Sequence, residues 1–274
     1  MAQLKGKTAL ITGASSGIGQ AIAYQLASEG VHLVLVARAH AALAQVAKEL
    51  SHQFGVSASA VALDLSQPHC AAELKSQLES KGVVVDILVN NAGLGTYGLF
   101  EKLSPEVEQH MIAVNVAAVV SLTHAFVPSM IERRTGVVLN LASTAAFQPV
   151  PYMAVYAATK AFVLSFSEAL WAEYRDKGVH VVALCPGAVE TQFIDKLGDG
   201  SVRQTSVFAQ TIQATHVAEQ ALRAIQGSAP NRIIGVKNWL MANSLRWVPR
   251  SMVASSGEKM LRPSKDALSA VRGL

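Results

Sequence analysis

Cysteine is scarce in this sequence, and its placement excludes several kinds of site. The 274 residues include two cysteines, Cys70 and Cys185, and no Cys-x-x-Cys pair. A disulfide framework, a cysteine-based metal site and a dithiol redox centre are therefore excluded, and no metal is expected. Isolated thiols are typical of a reducing compartment, so the sequence predicts a cytoplasmic protein.

Long basic runs and long apolar runs are also missing. The net charge is +4, but no basic run is interleaved with aromatic residues, which argues against nucleic acid as a partner. The positive balance favours an anionic ligand, although an ordinary soluble surface would have the same charge. The first residues lack the apolar stretch of a signal peptide. Because His32, Arg38, His124 or Pro128 interrupts the longer apolar segments, none is expected to reach the roughly 18 residues that span a bilayer.

Hydrophobic residues, in contrast, make up 51% of the chain and charged residues 15%, which is enough for a large core in one domain. Short apolar runs alternate with longer segments of helical spacing. The predicted strands are Thr8–Thr12, His32–Ala37, 58–63, 83–90, Gly136–Leu141, 179–184 and 232–236. The predicted helices are Gly17–Ser28, 41–52, 71–81, 105–130, 155–177 and 216–226.

This alternation predicts a doubly wound α/β (Rossmann) fold over residues 1–236. Strands that are apolar throughout are buried on both faces, as in a seven-stranded parallel sheet with helices on both faces. Residues 192–214 break the rhythm and are predicted to form a lid at the ligand-binding edge. Residues 237–274 are predicted to form a helical tail packed on the same domain, over that edge or against a neighbouring subunit. Their tryptophans and basic residues leave weak contact with a membrane surface as an alternative.

The segment TGASSGIG at 12–19 joins the first predicted strand to the first helix. Gly13 permits a tight turn, and Gly17 and Gly19 let a pyrophosphate approach the positive end of the helix. Ser15, Ser16 and Ile18 complete this predicted cofactor loop. The alternative is a strand-to-helix turn that uses glycine without any ligand.

Arg38 ends the second predicted strand, where NAD-binding proteins usually have a carboxylate for the ribose 2′-hydroxyl. An arginine suits a 2′-phosphate, which a carboxylate would repel. We therefore predict NADP(H) as the cofactor, with a solvated arginine at a strand end as the alternative.

Tyr156 and Lys160 are four residues apart near the start of a predicted helix, which puts the phenol and the ammonium on one face. A free tyrosine has a pKa of about 10 and is a poor base, whereas a nearby cation stabilises its phenolate. Taken alone, this spacing also fits an ordinary surface pair.

Two further residues support a reacting centre. Ser143 follows the fifth predicted strand, where its hydroxyl could hydrogen-bond a carbonyl oxygen that gains charge, although it could also cap a helix. Asn115 lies inside a predicted helix, where asparagine is unfavourable, so either a special hydrogen-bonding role or a satisfied core amide is expected.

With these pieces in order, the chain resembles the short-chain dehydrogenase/reductase family in its single-domain branch. The resemblance covers residues 5–236. It depends on TGASSGIG (12–19), LDLS (63–66), LVNNAG (88–93), Asn115, Ser143, YAATK (156–160) and PGAVET (186–191).

The resemblance implies a role for each matching residue. Ser143, Tyr156 and Lys160 would form the catalytic centre, with Asn115 in a proton relay. Lys160 would also bond the nicotinamide ribose. The remaining cofactor contacts would come from Asp64 and Leu65 at the adenine, Asn91, Ala92 and Gly93 along the cleft, and Pro186, Gly187, Val189 and Thr191 at the carboxamide end.

The expected activity is hydride transfer between NADP(H) and a carbonyl or secondary alcohol, with Tyr156 as general acid and base. A catalytically silent NADP(H)-binding regulatory protein is the alternative. The substrate is expected to be hydrophobic and to contact Ser143, Phe147, Tyr156 and Phe193. A homo-oligomer, dimer or tetramer, is expected, although the extended tail puts the family's usual tetramer in doubt.

Overall fold

The computed structural model describes residues 4–197, 201–205 and 207–263. Seven parallel strands form the central sheet, in the order β3-β2-β1-β4-β5-β6 followed by the final strand. The strands are β1 Thr8–Thr12, β2 His32–Ala37, β3 Ala58–Ala62, β4 Ile87–Asn90, β5 Gly136–Leu141, β6 Val179–Cys185 and the final strand Asn231–Ile233. The predicted doubly wound fold is confirmed.

Helices cover both faces of this sheet. They are α1 Gly17–Ser28, α2 His40–Phe54, α3 Cys70–Glu79, α4 Pro105–Ile112, α5 Ala118–Glu132, α6 Ala154–Tyr174, α7 Gln192–Asp195, α8 Ala214–Ile225, α9 Val236–Ser244 and α10 Arg250–Leu261. Ile22 and Leu26 of α1 are buried against one face, and Leu122 and Phe126 of α5 against the other. The strand sequences are apolar on both sides because each side meets a layer of helices.

The strand order reverses direction between β1 and β4, which are neighbours in the sheet. Leu10 of β1 pairs with Val34 on one side and with Leu88 on the other. In open α/β sheets a crevice for ligands forms at this switch point, beyond the carboxyl ends of the strands. The residues after β1, β4, β5 and β6 therefore meet at one edge.

Several element boundaries differ from the prediction. β4 begins at Ile87 instead of residue 83, because the amide of Val83 bonds the carbonyl of Leu78 and ends α3. The final strand stops at Ile233, and Val236 already begins α9. The predicted helix 105–130 is interrupted by a π-helical turn at Ala113–Ala117.

The continuous helical stretch Pro105–Glu132 is 28 residues long and contains an 18-residue window with a mean hydropathy of 1.7, so by length and composition it could cross a membrane. The expectation that no segment reaches that length is therefore wrong. Half of that window is buried, and Leu122, Phe126 and Met130 pack against the sheet. This packing is that of a core helix, whose composition resembles a membrane span because both exclude water.

The predicted lid contains α7 and the short strand Ile212–Gln213, which pairs in parallel with Val189–Glu190 just before the lid. Arg203 joins α7 to the strand Val189–Glu190, because its Nη2 lies 2.7 Å from the Asp195 carboxylate and 3.0 Å from the Glu190 carboxylate. Within the lid and the tail, residues 198–200, 206 and 264–274 lie outside the described residues.

Candidate active site

The turn between β1 and α1 is built around glycine. Gly13 and Gly17 have φ of 65° and 58°, in the left-handed region that favours glycine. A Cβ on Gly13 would lie 2.9 Å from the Cα of Ala92, and one on Gly19 would collide with Asn91 and the carbonyl of Gly13. The close approach of α1 to the segment after β4 therefore requires these glycines.

Asn91 and Thr12 hold this turn against the segment after β4. The Asn91 side chain donates to the carbonyl of Thr12 at 2.8 Å and to that of Gly13 at 3.2 Å. The Thr12 hydroxyl accepts from the amides of Asn91 and Ala92, both at 3.0 Å. Asn91 therefore shapes the predicted cofactor loop through the backbone, and Thr12 is a contributor that the motif did not single out.

The first turn of α1 fits an anion. Its N-cap residue, Ser16, makes no side-chain capping bond, and the turn carries no acidic residue. The amides of the first turn therefore have no partner from a capping side chain, and they point along the positive end of the helix dipole. A pyrophosphate is the kind of group that such a terminus binds.

Arg38 lies at the carboxyl end of β2 and is exposed, without an ion pair among the described residues. Asp64 accepts from the amide and the hydroxyl of Ser66 at 2.9 and 2.8 Å. These hydrogen bonds, helped by the charges of His110 and Arg38, lower the pKa of Asp64. Both residues therefore flank the same edge, while Leu65 is buried in the core.

Tyr156 and Lys160 lie on the first turns of α6, with the Lys160 ammonium 5.8 Å from the centroid of the Tyr156 ring. The ammonium donates to the carbonyl of Leu141 at 2.7 Å, at the end of β5. Tyr156 and Lys160 therefore share one face of the helix, as predicted. Among the described residues, the phenol and the ammonium do not form a direct hydrogen bond with each other.

Burial shifts the pKa values of these two residues in opposite directions. It raises the pKa of Tyr156 to about 12, while hydrogen bonding with Ser143 acts to lower it. It lowers the pKa of Lys160 to about 8, because desolvation disfavours the ammonium. The expected cation-driven lowering of the tyrosine pKa is not the dominant effect here. Tyr156 is therefore protonated at neutral pH.

Ser143 follows β5 and begins a 3-10 turn, Thr144–Phe147. Its hydroxyl accepts from the amide of Ala145 at 3.1 Å and donates to the carbonyl of Pro186 at 3.5 Å. Pro186 also accepts from the amide of Thr144 at 2.9 Å. The capping role considered for Ser143 is thus real, and the long second bond leaves its proton weakly held.

Asn115 lies in the π-helical turn and is 1% exposed. Its oxygen accepts from the amide of Leu94 at 2.8 Å, and its nitrogen donates to the carbonyl of Leu94 at 2.9 Å and to Thr159 at 3.1 Å. The amide therefore fixes the loop after β4 to α6. Thr159 was not foreseen, because only the fold places it beside Asn115.

The segment after β6 completes the edge. Thr191 caps α7, and a Cβ on Gly17 would lie 3.2 Å from its methyl group. Val189 is buried, and a Cβ on Gly187 would lie 3.0 Å from the amide nitrogen of Asn238. The segment 186–191 therefore lies between the cofactor loop and the tail.

The two aromatic residues predicted to contact substrate are separated. Phe193 of α7 packs against Tyr156, with ring centroids 5.7 Å apart. Phe147 packs instead with Leu164, Cys185 and Ile233 in a different apolar cluster. The contact of Phe147 with substrate therefore stays a prediction, and the 3-10 turn places its side chain in this cluster beside β6.

An apolar cluster surrounds Tyr156 and Phe193. Its buried members are Tyr97, Val150, Met153, Ala157, Ile194, Leu197, Val202 and Leu261. A Cβ on Gly95 would lie 2.6 Å from Phe193, so a glycine there lets α7 close over the cluster. Leu261 comes from the tail, a contribution that no local pattern indicated. Among the described residues, no group of three or more His, Cys, Asp or Glu could hold a metal.

A solved structure resembles this chain over most of its length. The chain aligns with a short-chain dehydrogenase from Sphingobium yanoikuyae in complex with NADPH, at 31% identity and a TM-score of 0.78. The alignment covers 88% of this chain and 94% of that protein.

Relatives in Mus musculus are similar in sequence. Very-long-chain 3-oxoacyl-CoA reductase is 36% identical over 68% of this chain, which spans 61% of that relative's length. 17-beta-hydroxysteroid dehydrogenase type 3 is 34% identical over 83% of this chain and 78% of its own length.

These relatives overturn the predicted cytoplasmic location, because both are membrane-associated enzymes of the endoplasmic reticulum. Isolated thiols indicate a reducing environment and carry no information about attachment to a membrane.

The sequence profile of the short chain dehydrogenase family matches residues 7–201, well over half of the chain. The matched segment contains the cofactor loop, Asn115, Ser143, Tyr156 and Lys160. The chain belongs to the short-chain dehydrogenase family of oxidoreductases.

Proposed function

We propose that this protein reduces a hydrophobic ketone with NADP(H) and that Tyr156 donates the proton. The observation that carries the proposal is the position of Tyr156, whose pKa Ser143 acts to lower and whose ring packs against Phe193 inside an apolar cluster. A carbonyl group that enters this cluster would meet a hydroxyl donor, with its hydrocarbon part held away from water.

The protonation states suit reduction. NADP(H), when bound, supplies the hydride. Tyr156, with a pKa of about 12, is protonated at neutral pH and can give its proton to a forming alkoxide. Ser143 can turn from its 3.5 Å bond with Pro186 to donate to the same oxygen as charge develops there.

Lys160 and Asn115 support a path for replacing that proton. A Cβ on Gly93 would lie 3.5 Å from the Lys160 ammonium and 3.4 Å from the Asn115 side-chain oxygen. Both polar groups thus border the same small open position, and a glycine keeps it open. This arrangement is consistent with the relay implied by the family resemblance.

Two observations support NADP(H) over NAD(H). The exposed guanidinium of Arg38 lies at the end of β2 without a competing ion pair in the described chain. In addition, the similar protein from Sphingobium yanoikuyae is described as a complex with NADPH. A 2′-phosphate can form charge-assisted hydrogen bonds with such an arginine.

The apolar cluster supports a lipid-like ketone as the substrate. Its described members supply no arginine or lysine to hold a carboxylate or phosphate next to Tyr156. The names of the relatives point the same way, since one is a very-long-chain 3-oxoacyl-CoA reductase and another a 17-beta-hydroxysteroid dehydrogenase. A 3-oxoacyl thioester and a 17-ketosteroid are therefore the first substrates to assay.

The test is Tyr156→Phe, followed by NADPH oxidation with these two substrates. Removing the proton donor should lower turnover by about 10²- to 10⁴-fold, with NADPH affinity by fluorescence titration nearly unchanged. Tyr152→Phe is the matched control, because it deletes another hydroxyl near the cluster, one that bonds Glu258, and should keep most of its turnover.

Equal activity in Tyr156→Phe and the parent protein would refute the role of Tyr156. NADPH binding without oxidation for any ketone, aldehyde or quinone in a broad panel would favour the silent regulatory protein instead.

A further inference from the structure

We propose that the outer face of the tail is a docking surface for an anionic lipid bilayer. Seven of the thirteen exposed large hydrophobic residues in the described chain lie in residues 236–260. They are Val236, Trp239, Leu240, Trp247, Val248, Met252 and Met260. Such a concentration on so short a segment marks an interaction surface, whereas exposed apolar residues scattered singly are ordinary.

Helical spacing separates the two sides of these helices. On α9, Val236, Trp239 and Leu240 form one outward stripe, while Ala242 is buried on the other side. On α10, Met252 and Met260 point outward. The opposite side of α10 contacts the domain through Leu261, whose carbonyl accepts from Tyr97 at 2.7 Å. The exposed apolar residues of α9 and α10 are therefore not the ones that attach the tail to the domain.

The excess of positive charge in the tail indicates that the partner of this surface is an anionic bilayer. The described part of the tail, residues 236–263, contains five cations and one carboxylate. That carboxylate, Glu258, accepts from Arg262 and from Tyr152, both at 2.7 Å. The other four cations, Lys237, Arg246, Arg250 and Lys259, are exposed and have no ion pair among the residues described. A basic and apolar surface with tryptophan complements the interface of an anionic membrane.

The positions of two cations strengthen this assignment. Lys237 and Arg250 lie in the first turns of α9 and α10, which contain no acidic residue. A cation there opposes the helix dipole, so neither residue is explained by the stability of its own helix. Attraction to lipid phosphates gives them a use.

Docking would also bring the bilayer close to the apolar cluster around Tyr156, because α10 contributes Leu261 to that cluster. This last consequence depends on the proposed function. The docking surface itself does not, since vesicle binding can be measured without turnover.

The test is co-sedimentation of the full chain with vesicles of phosphatidylcholine alone or of an equal mixture of phosphatidylcholine and phosphatidylserine. We expect binding to the mixed vesicles that weakens as salt is raised. The variant Lys237→Gln/Arg246→Gln/Arg250→Gln should bind them about a hundredfold more weakly, from roughly a fivefold loss per cation. The variant Trp239→Gln/Leu240→Gln/Trp247→Gln should lose at least about tenfold.

Val84→Gln is the control, because Val84 is 51% exposed, close to the 53% of Trp239, and lies before β4 at the opposite edge of the sheet. It should bind like the parent protein. Unchanged thermal unfolding in all variants would show that they fold.

A parent protein that stays in the supernatant, or a tryptophan variant that pellets equally well, would overturn the proposal. A dimer in sedimentation velocity that this variant abolishes, without vesicle binding, would assign the surface to a second copy of the chain instead. A chain ending at Pro263 should pellet like the parent. Loss of binding in that chain would also overturn the proposal, because vesicle binding would then depend on residues 264–274.

Discussion

Burial raises the pKa of Tyr156 and lowers that of Lys160, and this difference predicts how ketone reduction depends on pH. Lys160, with a pKa of about 8, is cationic below that pH and neutral above it. Tyr156 stays protonated throughout, because its pKa is about 12. If the charge of Lys160 is needed, ketone reduction should be constant below about pH 8 and fall about tenfold per unit above it.

Initial rates with saturating NADPH between neutral pH and the onset of unfolding would measure this profile. Lys160→Arg, if active, should move the fall to higher pH, since arginine keeps its charge. A parent profile that stays flat well above pH 8 would contradict a role for the charge.

At the scale of one side chain, the proposed preference for NADP(H) depends on Arg38. Arg38→Asp should weaken NADPH binding about tenfold to a hundredfold, the value of one or two charge-assisted hydrogen bonds, and leave NADH binding equal or better. Lys48→Asp makes the same charge change at an exposed position on α2 and should affect neither cofactor. Fluorescence titration with both cofactors is the measurement, and a parent protein that prefers NADH would overturn the assignment.

The residues of the candidate site differ in how far sequence could identify them. Ser143, Tyr156 and Lys160 follow from short motifs at strand and helix ends, where the doubly wound fold leaves little choice of position. Phe147 is four residues beyond Ser143, yet its direction depends on a 3-10 turn that has no strong sequence signal. Leu261 lies more than a hundred residues from Tyr156, so only tertiary packing brings them together.

At the scale of elements, the interruption between α4 and α5 shows why periodicity alone was insufficient. Apolar spacing correctly predicts helix on both sides of Asn115, and the poor helix propensity of asparagine correctly flags the position. In the π-helical turn, Asn115 accepts a hydrogen bond from Leu94 and donates one to Thr159, and both residues are distant in sequence. A residue-by-residue helix prediction cannot contain those partners.

The ends of strands show the same limit. β1, β2 and β5 match their predicted bounds because a glycine, a polar residue or a turn follows each apolar run. β4 is shorter than its apolar run, since Val83 caps α3 and Val85 is buried before any strand pairing begins. Burial makes a residue apolar in either case, so composition does not separate strand from buried loop.

At the scale of the whole molecule, the tail joins parts of the chain that the sheet leaves apart. Tyr152 has φ of 65°, a strained value for a residue other than glycine, and its hydroxyl donates to Glu258 of α10. A Cβ on Gly257 would lie 3.2 Å from Pro151, so α10 lies directly on the loop before α6. The contacts with α10 therefore help to hold Tyr152 in this backbone conformation.

Removing α10 should therefore affect substrate binding more than cofactor binding. A chain that ends at Pro249 lacks the buried Leu261 and the hydrogen bonds that Tyr97 and Tyr152 make with α10. A loss of about 2 kcal/mol from one buried leucine corresponds to a decrease in Tm of roughly 4–8 °C. We expect the KM for a hydrophobic ketone to increase about tenfold, because the apolar cluster would open to water. The Kd for NADPH should be unchanged, because the cofactor loop is held by Thr12 and Asn91.

The chain ending at Pro263 retains α10 and serves as the control. If Tm falls by the expected amount and KM is unchanged, α10 only stabilises the fold. If KM increases and Tm does not change, α10 lines the substrate site.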